Sequence, residues 1–303
     1  MRNATCQTLV ELSRKSPFVF MTGDLGFMAL EPLKEAMGDR FINAGVAEQN
    51  MIGVAAGIAS TGLQAWAYSI APFIYARPFE QIRNDVCLHD LDVKLVGNGG
   101  GYGYGPMGGT HHALEDYGAL LTLQKMRAYV PAFAEDVQAM IPKMASIPHP
   151  IYLRLGRNEK PPQLQLPPYA PWRRLVQGGG ALVLVVGPLA GPIIEAAEKL
   201  PEPSRPELWV LSELPLDIAP FPVEFLESLA RRKHLVVAEE HVLQGSAGQM
   251  VAHALLRLGQ APPKFSHCHA KGYLSKTYGS QNFHRAESGL DAGHVLALAM
   301  SQA

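Results

Sequence analysis

Short apolar runs of strand character alternate with helix-like segments along this chain, and that alternation constrains its fold more than any other feature. In the first half the strand-like runs are Phe18-Val19-Phe20-Met21, Phe41-Ile42-Asn43, Ala65-Trp66-Ala67-Tyr68, Val93-Lys94-Leu95-Val96, Ala128-Tyr129-Val130 and Ile151-Tyr152-Leu153-Arg154. Helical candidates fall between them, including about 74–88 and 135–146. Such a rhythm predicts a mostly parallel sheet covered by helices on both faces. Several runs end in glycine or a polar turn (Gly23-Asp24, Gly45, Gly97-Asn98), and ligands in folds of this kind bind at the carboxyl edge of the sheet. Residues 156–175 change character: Pro161-Pro162, Pro167-Pro168 and Pro171 mark an extended connection that neither helix nor sheet accommodates well. A second α/β unit follows, with strand-like Ala181–Val186, a helix near 190–200, strand-like Leu208–Leu211, a helix near 223–232 and strand-like Leu235–Ala238. The expected architecture is α/β with two doubly wound domains, at 1–158 and 178–303, joined by a proline-rich linker at 159–177.

Length and composition narrow the function. The 303 residues, 48% of them hydrophobic, are enough for two cores. A net charge of -1 leaves no electrostatic footprint for nucleic acid or an acidic membrane. Cys6, Cys87 and Cys268 are scattered and form no C-x-x-C pair, which fits a reducing compartment and argues against a disulfide framework or a zinc site. The amino terminus shows no apolar signal core, and Ala181–Val186 is broken by Gly187-Pro188 before it could span a bilayer. The expectation is a soluble cytoplasmic protein.

Glu48 is the candidate reactive group. It follows the strand-like run at 41–43 and opens a run of small and apolar residues, Gly53-Val54-Ala55-Ala56-Gly57-Ile58-Ala59. A carboxylate at the mouth of so apolar a helix is expected to be desolvated, which raises its pKa and suits it to proton transfer. On spacing alone, a helix-start glutamate stabilised by the helix dipole remains an equal alternative.

Three ordered blocks decide between them: Gly45-Val46-Ala47-Glu48-Gln49-Asn50-Met51, then Pro72-Phe73-Ile74-Tyr75-Ala76-Arg77-Pro78-Phe79-Glu80-Gln81-Ile82-Arg83, then Gly108-Gly109-Thr110-His111-His112-Ala113-Leu114-Glu115-Asp116. Together they closely resemble the pyrimidine-binding domain of transketolases, thiamine-diphosphate enzymes that move a two-carbon ketol unit. Val237-Ala238-Glu239-Glu240-His241 and Gly245-Ser246-Ala247-Gly248 resemble the carboxyl-terminal domain of the same family. The resemblance implies that Glu48 hydrogen-bonds the pyrimidine ring of the cofactor and favours the imino tautomer that takes up the thiazolium C2 proton. It implies that Phe73, which alone would read as a core residue, stacks on that ring. Asp24 and Leu25, otherwise an ordinary capped turn, would pack beside the cofactor. His111 would contact the C1 hydroxyl of the ketol donor, and Arg2 and Arg157 would bind sugar phosphate. Its neighbour His112 has no acidic or cysteine partner at metal-ligand spacing.

Departures from the family pattern carry information too. The glycine-rich run 99–109 is neither a P-loop nor a G-x-G-x-x-G turn. Gly99 stands where transketolases have a histidine, Pro106-Met107 where they have an acidic pair, and Met28 where a phosphate-binding serine is usual. The glycines are expected to leave room for a bulkier substrate, and ordinary pentose-phosphate chemistry is not expected on both the donor and the acceptor side. No Gly-Asp-Gly occurs, although the family holds Mg²⁺ and the diphosphate through such a segment and a later asparagine pair. The resemblance therefore implies half an enzyme, the carboxyl-terminal subunit of a split transketolase. Its partner would be an amino-terminal subunit carrying the thiamine diphosphate and Mg²⁺ ligands, in an α2β2 heterotetramer acting on small sugars. Competing readings are the beta subunit of a 2-oxoacid dehydrogenase, a non-catalytic scaffold subunit and, weakly, a stand-alone nucleotide-binding protein. Gly-Thr-His-His at 109–112 and Arg154-Leu155-Gly156-Arg157 favour the transketolase side.

Overall fold

The computed structural model describes residues 1–301; positions 302 and 303 of the second expected domain lie outside the described residues. The strands are β1 Val19–Thr22, β2 Phe41–Asn43, β3 Ala65–Ile70, β4 Val93–Asn98, β5 Arg127–Tyr129, β6 Ile151–Leu155, β7 Trp172–Val176, β8 Leu182–Val186, β9 Glu207–Leu211, β10 Glu213–Leu214, β11 His234–Glu239 and β12 Lys264–Cys268. The helices of the first half are α1 Arg2–Ser13, α2 Glu31–Met37, α3 Glu48–Ser60, α4 Ala71–Tyr75, α5 Phe79–Gln81, α6 Asp116–Leu120 and α7 Ala134–Ala145. Those of the second half are α8 Ala190–Ala197, α9 Val223–Arg232, α10 Ala247–Arg257, α11 Gln281–Ser288 and α12 Ala292–Met300.

Among the described residues these strands form two sheets, one of seven strands in the order β10-β5-β6-β4-β3-β1-β2 and one of five in the order β12-β11-β8-β9-β7. The ladders are parallel except β10 on β5 and β7 on β9. The α/β class with helices on both faces of two sheets is as expected. Side-chain alternation along the strands explains the layering. Phe18, Phe20, Trp66 and Tyr68 face one way, against Leu9 of α1, Leu33 of α2 and Val137 and Met140 of α7. Val19, Met21, Ala65 and Ala67 face the other way, against Ile52, Ala55, Ala56 and Ala59 of α3. The second sheet repeats the scheme, with Val183, Val185 and Val210 toward Ile193 and Val295, and Leu184, Trp209 and Val237 toward Phe225 and Val251.

Two expectations need correction. The single helix read over 74–88 is broken, because Pro78 offers no backbone N–H; α4 stops at Tyr75 and α5 runs on into a π-helical turn, Ile82–Cys87. The stretch 159–177 is not all linker. Trp172–Val176 forms β7 at the edge of the second sheet, and Arg173 in it makes a buried ion pair of 2.7 Å with Asp136 of α7.

The two halves are clamped together by buried polar groups. Arg154, at the end of β6, donates to Asp116 Oδ2 (2.8 Å), to the Ala113 carbonyl (2.7 Å) and to the Glu240 carbonyl (2.7 Å). The Glu240 carboxylate accepts from the Tyr102 amide (3.1 Å), from Gln281 and from Arg285. Beside it, Glu239 accepts from the Ala247 and Gly248 amides (2.9 and 2.7 Å) and meets His267 at 2.8 Å, so the two family-like blocks of the second half converge on one carboxylate. Burial pushes the Glu239 carboxyl up, but the bond from His267, the neighbouring His267 and His241 imidazoles and the bond from Tyr117 together hold it below the usual range. Removing one member of a buried pair strands the other. Arg154→Met should destabilise the chain by about 3–5 kcal/mol, measurable by denaturant unfolding.

Candidate active site

The strand order reverses between β1 and β3. From β1 the chain adds β2 on one side, then crosses back to place β3 and β4 on the other. A crevice opens at the carboxyl ends of the strands at such a reversal, and Glu48 lies in it. As the first residue of α3, it has its carboxylate against the ends of both strands. Ser69 Oγ of β3 donates to Oε1 at 3.2 Å. A Cβ on Gly23, just past β1, would stand 3.4 Å from the same oxygen. The other oxygen, Oε2, accepts from Arg77 Nη1 at 2.9 Å. Glu48 is only 3% exposed, yet it borders an open groove of about 500 Å³ with Val46, Ala47, Gln49, Asn50 and Arg77.

Helix α4 starts directly after β3 with Pro72 in its first turn, a position where a proline is preorganised for helix. That start places Phe73 half-buried beside the crevice. One helical turn on, Arg77 returns over it, with its guanidinium carbon 3.7 Å from the ring centroid. The His111 ring packs edge-on against Phe73 at 5.2 Å, and Thr110 Oγ1 holds His111 Nδ1 at 2.9 Å. Glu48, Phe73 and His111 are therefore brought together around one crevice.

Asp24 and Leu25 lie in the adjoining β1–α2 loop, in a groove of about 470 Å³ shared with Phe27, Phe41 and Asn43. Asp24 has a φ of 58° and is tied to the end of β2 through Asn43 Nδ2, which donates to Asp24 Oδ1 at 2.9 Å, and Asn43 Oδ1, which accepts from the Asp24 amide at 3.0 Å. Arg2 and Arg157 are both exposed. Their chain segments meet where the Gly156 amide approaches Met1 Sδ at 3.4 Å, so both stand on the same edge of the sheet. His112 turns away from the crevice. It is buried between the two halves, with Nε2 on the Gly105 carbonyl (2.8 Å) and Nδ1 on the Tyr273 hydroxyl (2.9 Å), and burial lowers its pKa. No group of three or more His, Cys, Asp or Glu placed to hold a metal ion occurs among the described residues.

Three residues at the site were not singled out from the sequence. Ser69 and Arg77 hold the two oxygens of Glu48, and Arg77 lay inside a block already aligned with the family. Tyr104 is the third. Its ring lies 5.8 Å from that of His111, and Asn98 Nδ2 donates to its hydroxyl at 2.8 Å. Burial raises its pKa, while the Asn98 bond and the charge of Arg2 act against the rise. Tyr104 also overturns the expected room beside the glycines. A Cβ on Gly99, whose φ is +76°, would fall 2.1 Å from the Tyr104 ring, and one on Gly101 would fall 2.1 Å from the Glu240 carboxylate. The glycines permit close packing, and the space is filled.

A family model described as "Transketolase, pyrimidine binding domain" matches residues 1–162. The chain belongs to the transketolase family. It is 31% identical over 280 residues to a subunit of apulose-4-phosphate transketolase from Actinobacillus succinogenes, covering 90% of this chain and 88% of that one. It is 30% identical over 209 residues to the 6-deoxy-6-sulfo-D-fructose transketolase subunit SqwH of a Clostridium species, covering 66% and 64%. A solved structure described as a split gene transketolase, inactive beta4 tetramer, superposes with a TM-score of 0.82 at 29% identity over 99% of this chain and 97% of that one. These relatives match a carboxyl-terminal subunit of a split transketolase and do not favour an oxoacid dehydrogenase subunit or a scaffold.

The filled glycine run is directly testable. Gly99→Ala forces a side chain into a left-handed backbone and into the Tyr104 ring, and should cost about 1–3 kcal/mol. Calorimetric unfolding should show part of that loss recovered in Gly99→Ala/Tyr104→Ala.

Proposed function

We propose that this chain is the subunit of a split, thiamine-diphosphate-dependent transketolase that activates the cofactor and transfers a two-carbon ketol unit between sugar-type substrates. The observation that carries this reading is the placement of Glu48: buried, at the strand-order reversal, with one oxygen fixed by Ser69 and the other held by Arg77, whose guanidinium lies over the face of Phe73. A rigid carboxyl next to a flat aromatic face fits the pyrimidine half of thiamine. When bound, the cofactor supplies the carbon nucleophile that ketol transfer needs.

In this reading each residue has a limited task. Glu48 would offer Oε2 to the ring nitrogen of the pyrimidine, and the burial of its side chain would strengthen such a bond. Phe73 provides the stacking face, and the Asp24-Leu25 turn closes the side of the site next to β1. His111, oriented by Thr110, holds a donor hydroxyl. Arg2 and Arg157 stand where a substrate phosphate would be met. Mg²⁺ and the diphosphate are assigned to a partner subunit in an α2β2 heterotetramer. The exposed apolar residues lining the grooves beside Asp24 and Glu48, Phe27 (83%) and Val46 (74%), support a covering partner at that face. Residues 1–158 would form the pyrimidine-binding domain and the remainder, after the connection, the carboxyl-terminal one. No helix among the described residues is long and apolar enough to cross a membrane, and a cytoplasmic location belongs to the same proposal.

The substrates are proposed to depart from ordinary pentose phosphates. Met28 and Gly99 remove two polar groups usual in the family, and Tyr104 fills the place of one. The two relatives named above for apulose-4-phosphate and for 6-deoxy-6-sulfo-D-fructose show that split transketolase subunits of this kind are named for unusual sugars.

Glu48→Gln tests the role of the carboxyl. The variant should fold and assemble like the wild type. In the complex with its partner, exchange of the thiazolium C2 proton followed by NMR should slow by about 10²–10⁴-fold. Exchange at the wild-type rate would remove Glu48 from the chemistry.

A further inference from the structure

The Arg77 guanidinium makes two contacts at once. It lies flat enough on Phe73 to put its central carbon 3.7 Å from the ring centroid, and Nη1 donates to Glu48 Oε2 at 2.9 Å. Those are the same two surfaces, an aromatic face and an outward carboxyl oxygen, that the proposed function assigns to the pyrimidine. The chemistry of the two occupants is also alike. A guanidinium and an aminopyrimidine are both planar, conjugated and edged with N–H donors. The alternative oxygen is taken, since Oε1 is turned inward onto Ser69 and packs against Gly23. A pyrimidine and the Arg77 side chain cannot both hold Oε2 while both lie on the Phe73 face.

We propose that Arg77 is the resident occupant of the pyrimidine seat, and that seating the cofactor displaces it. This rests on the reading of Glu48 and Phe73 given above. The physical need is plain: a carboxylate only 3% exposed is costly to leave without a charge partner, and in the chain alone Arg77 supplies one. The guanidinium is also free to leave. Its side chain is 44% exposed, and α4 has already ended at Tyr75, with Pro78 breaking the backbone ladder just beyond. Solvent reaches the arginine side of the pair, so the guanidinium can be rehydrated as it leaves, and a ligand with better stacking and shape that also bonds the carboxyl can replace it. The occupied seat lowers the apparent affinity of the competing ligand by the fraction of time it is vacant. The subunit thus keeps its reactive carboxyl neutralised by its own arginine until the cofactor arrives with the partner.

The test uses the isolated full chain and the aminopyrimidine half of thiamine, 4-amino-5-hydroxymethyl-2-methylpyrimidine, titrated by ligand-detected NMR. Arg77→Ala and Arg77→Met should bind it at least about tenfold more tightly than wild type, a shift of about 1.4 kcal/mol. Arg77→Lys, which keeps the charge but not the flat group, should fall between. The gain should vanish when Phe73→Ala is added. Unchanged or weaker binding in both Arg77→Ala and Arg77→Met would overturn the displacement proposal and leave the Glu48 reading standing. Binding indifferent to both Phe73→Ala and Glu48→Ala would place the seat elsewhere and overturn both.

Discussion

The burial of one carboxylate organises this subunit. Glu48 can be buried because β1 and β3 part at the strand-order reversal and leave a crevice. Gly23 follows β1 without a side chain, Ser69 near the end of β3 offers a hydroxyl, and Arg77 reaches back from beyond α4. Each belongs to a different segment, and together they hold the carboxyl in the crevice. The small apolar residues that follow Glu48, Ala55, Ala56 and Ala59, let α3 pack closely on the alanines of β3, which fixes the carboxyl against the sheet. A rigid acid beside an aromatic face is the arrangement on which the proposed chemistry rests.

The second half of the chain shapes the site indirectly. Arg154 joins Asp116 and the Ala113 carbonyl to the Glu240 carbonyl, and the Glu240 carboxylate anchors the Tyr102 amide. The segment that carries Tyr104 and His111 is thereby pinned at both ends to the second sheet. His112, packed on Tyr273 and the Gly105 carbonyl, fixes which of the two adjacent histidines faces the crevice. A domain far from the reactive carboxyl in sequence thus sets the orientation of the proposed substrate-binding histidine.

Much of the fold is legible in the sequence because its determinants are local. The strands at 18–21, 65–68, 93–96 and 182–186 are apolar enough to read directly, and the helix opening at Glu48 begins where its composition changes. The departures share a physical cause, namely that tertiary contacts override local pattern. Trp172–Val176 carries two arginines and follows a cluster of prolines, yet pairing with β9 and the buried ion pair of Arg173 with Asp136 make it a strand. Glu213–Leu214 is too short to signal anything, and it joins the first sheet only because β5 offers a free edge. Pro78 is the exception, a local signal strong enough to break the helix despite the apolar periodicity around it. At the site, residue identity places Glu48, Phe73 and His111, whereas Tyr104 filling the space beside Gly99 and Arg77 bridging Glu48 to Phe73 follow from side-chain directions that no spacing rule supplies.

The central claim is that this chain holds one half of a cofactor site and needs a partner to complete it. Titrating thiamine diphosphate with Mg²⁺ by calorimetry into the purified chain, alone and after mixing with the amino-terminal subunit, tests that claim most directly. The account predicts tight, Mg²⁺-dependent binding only in the mixture. Tight, Mg²⁺-dependent binding to the chain alone would contradict it.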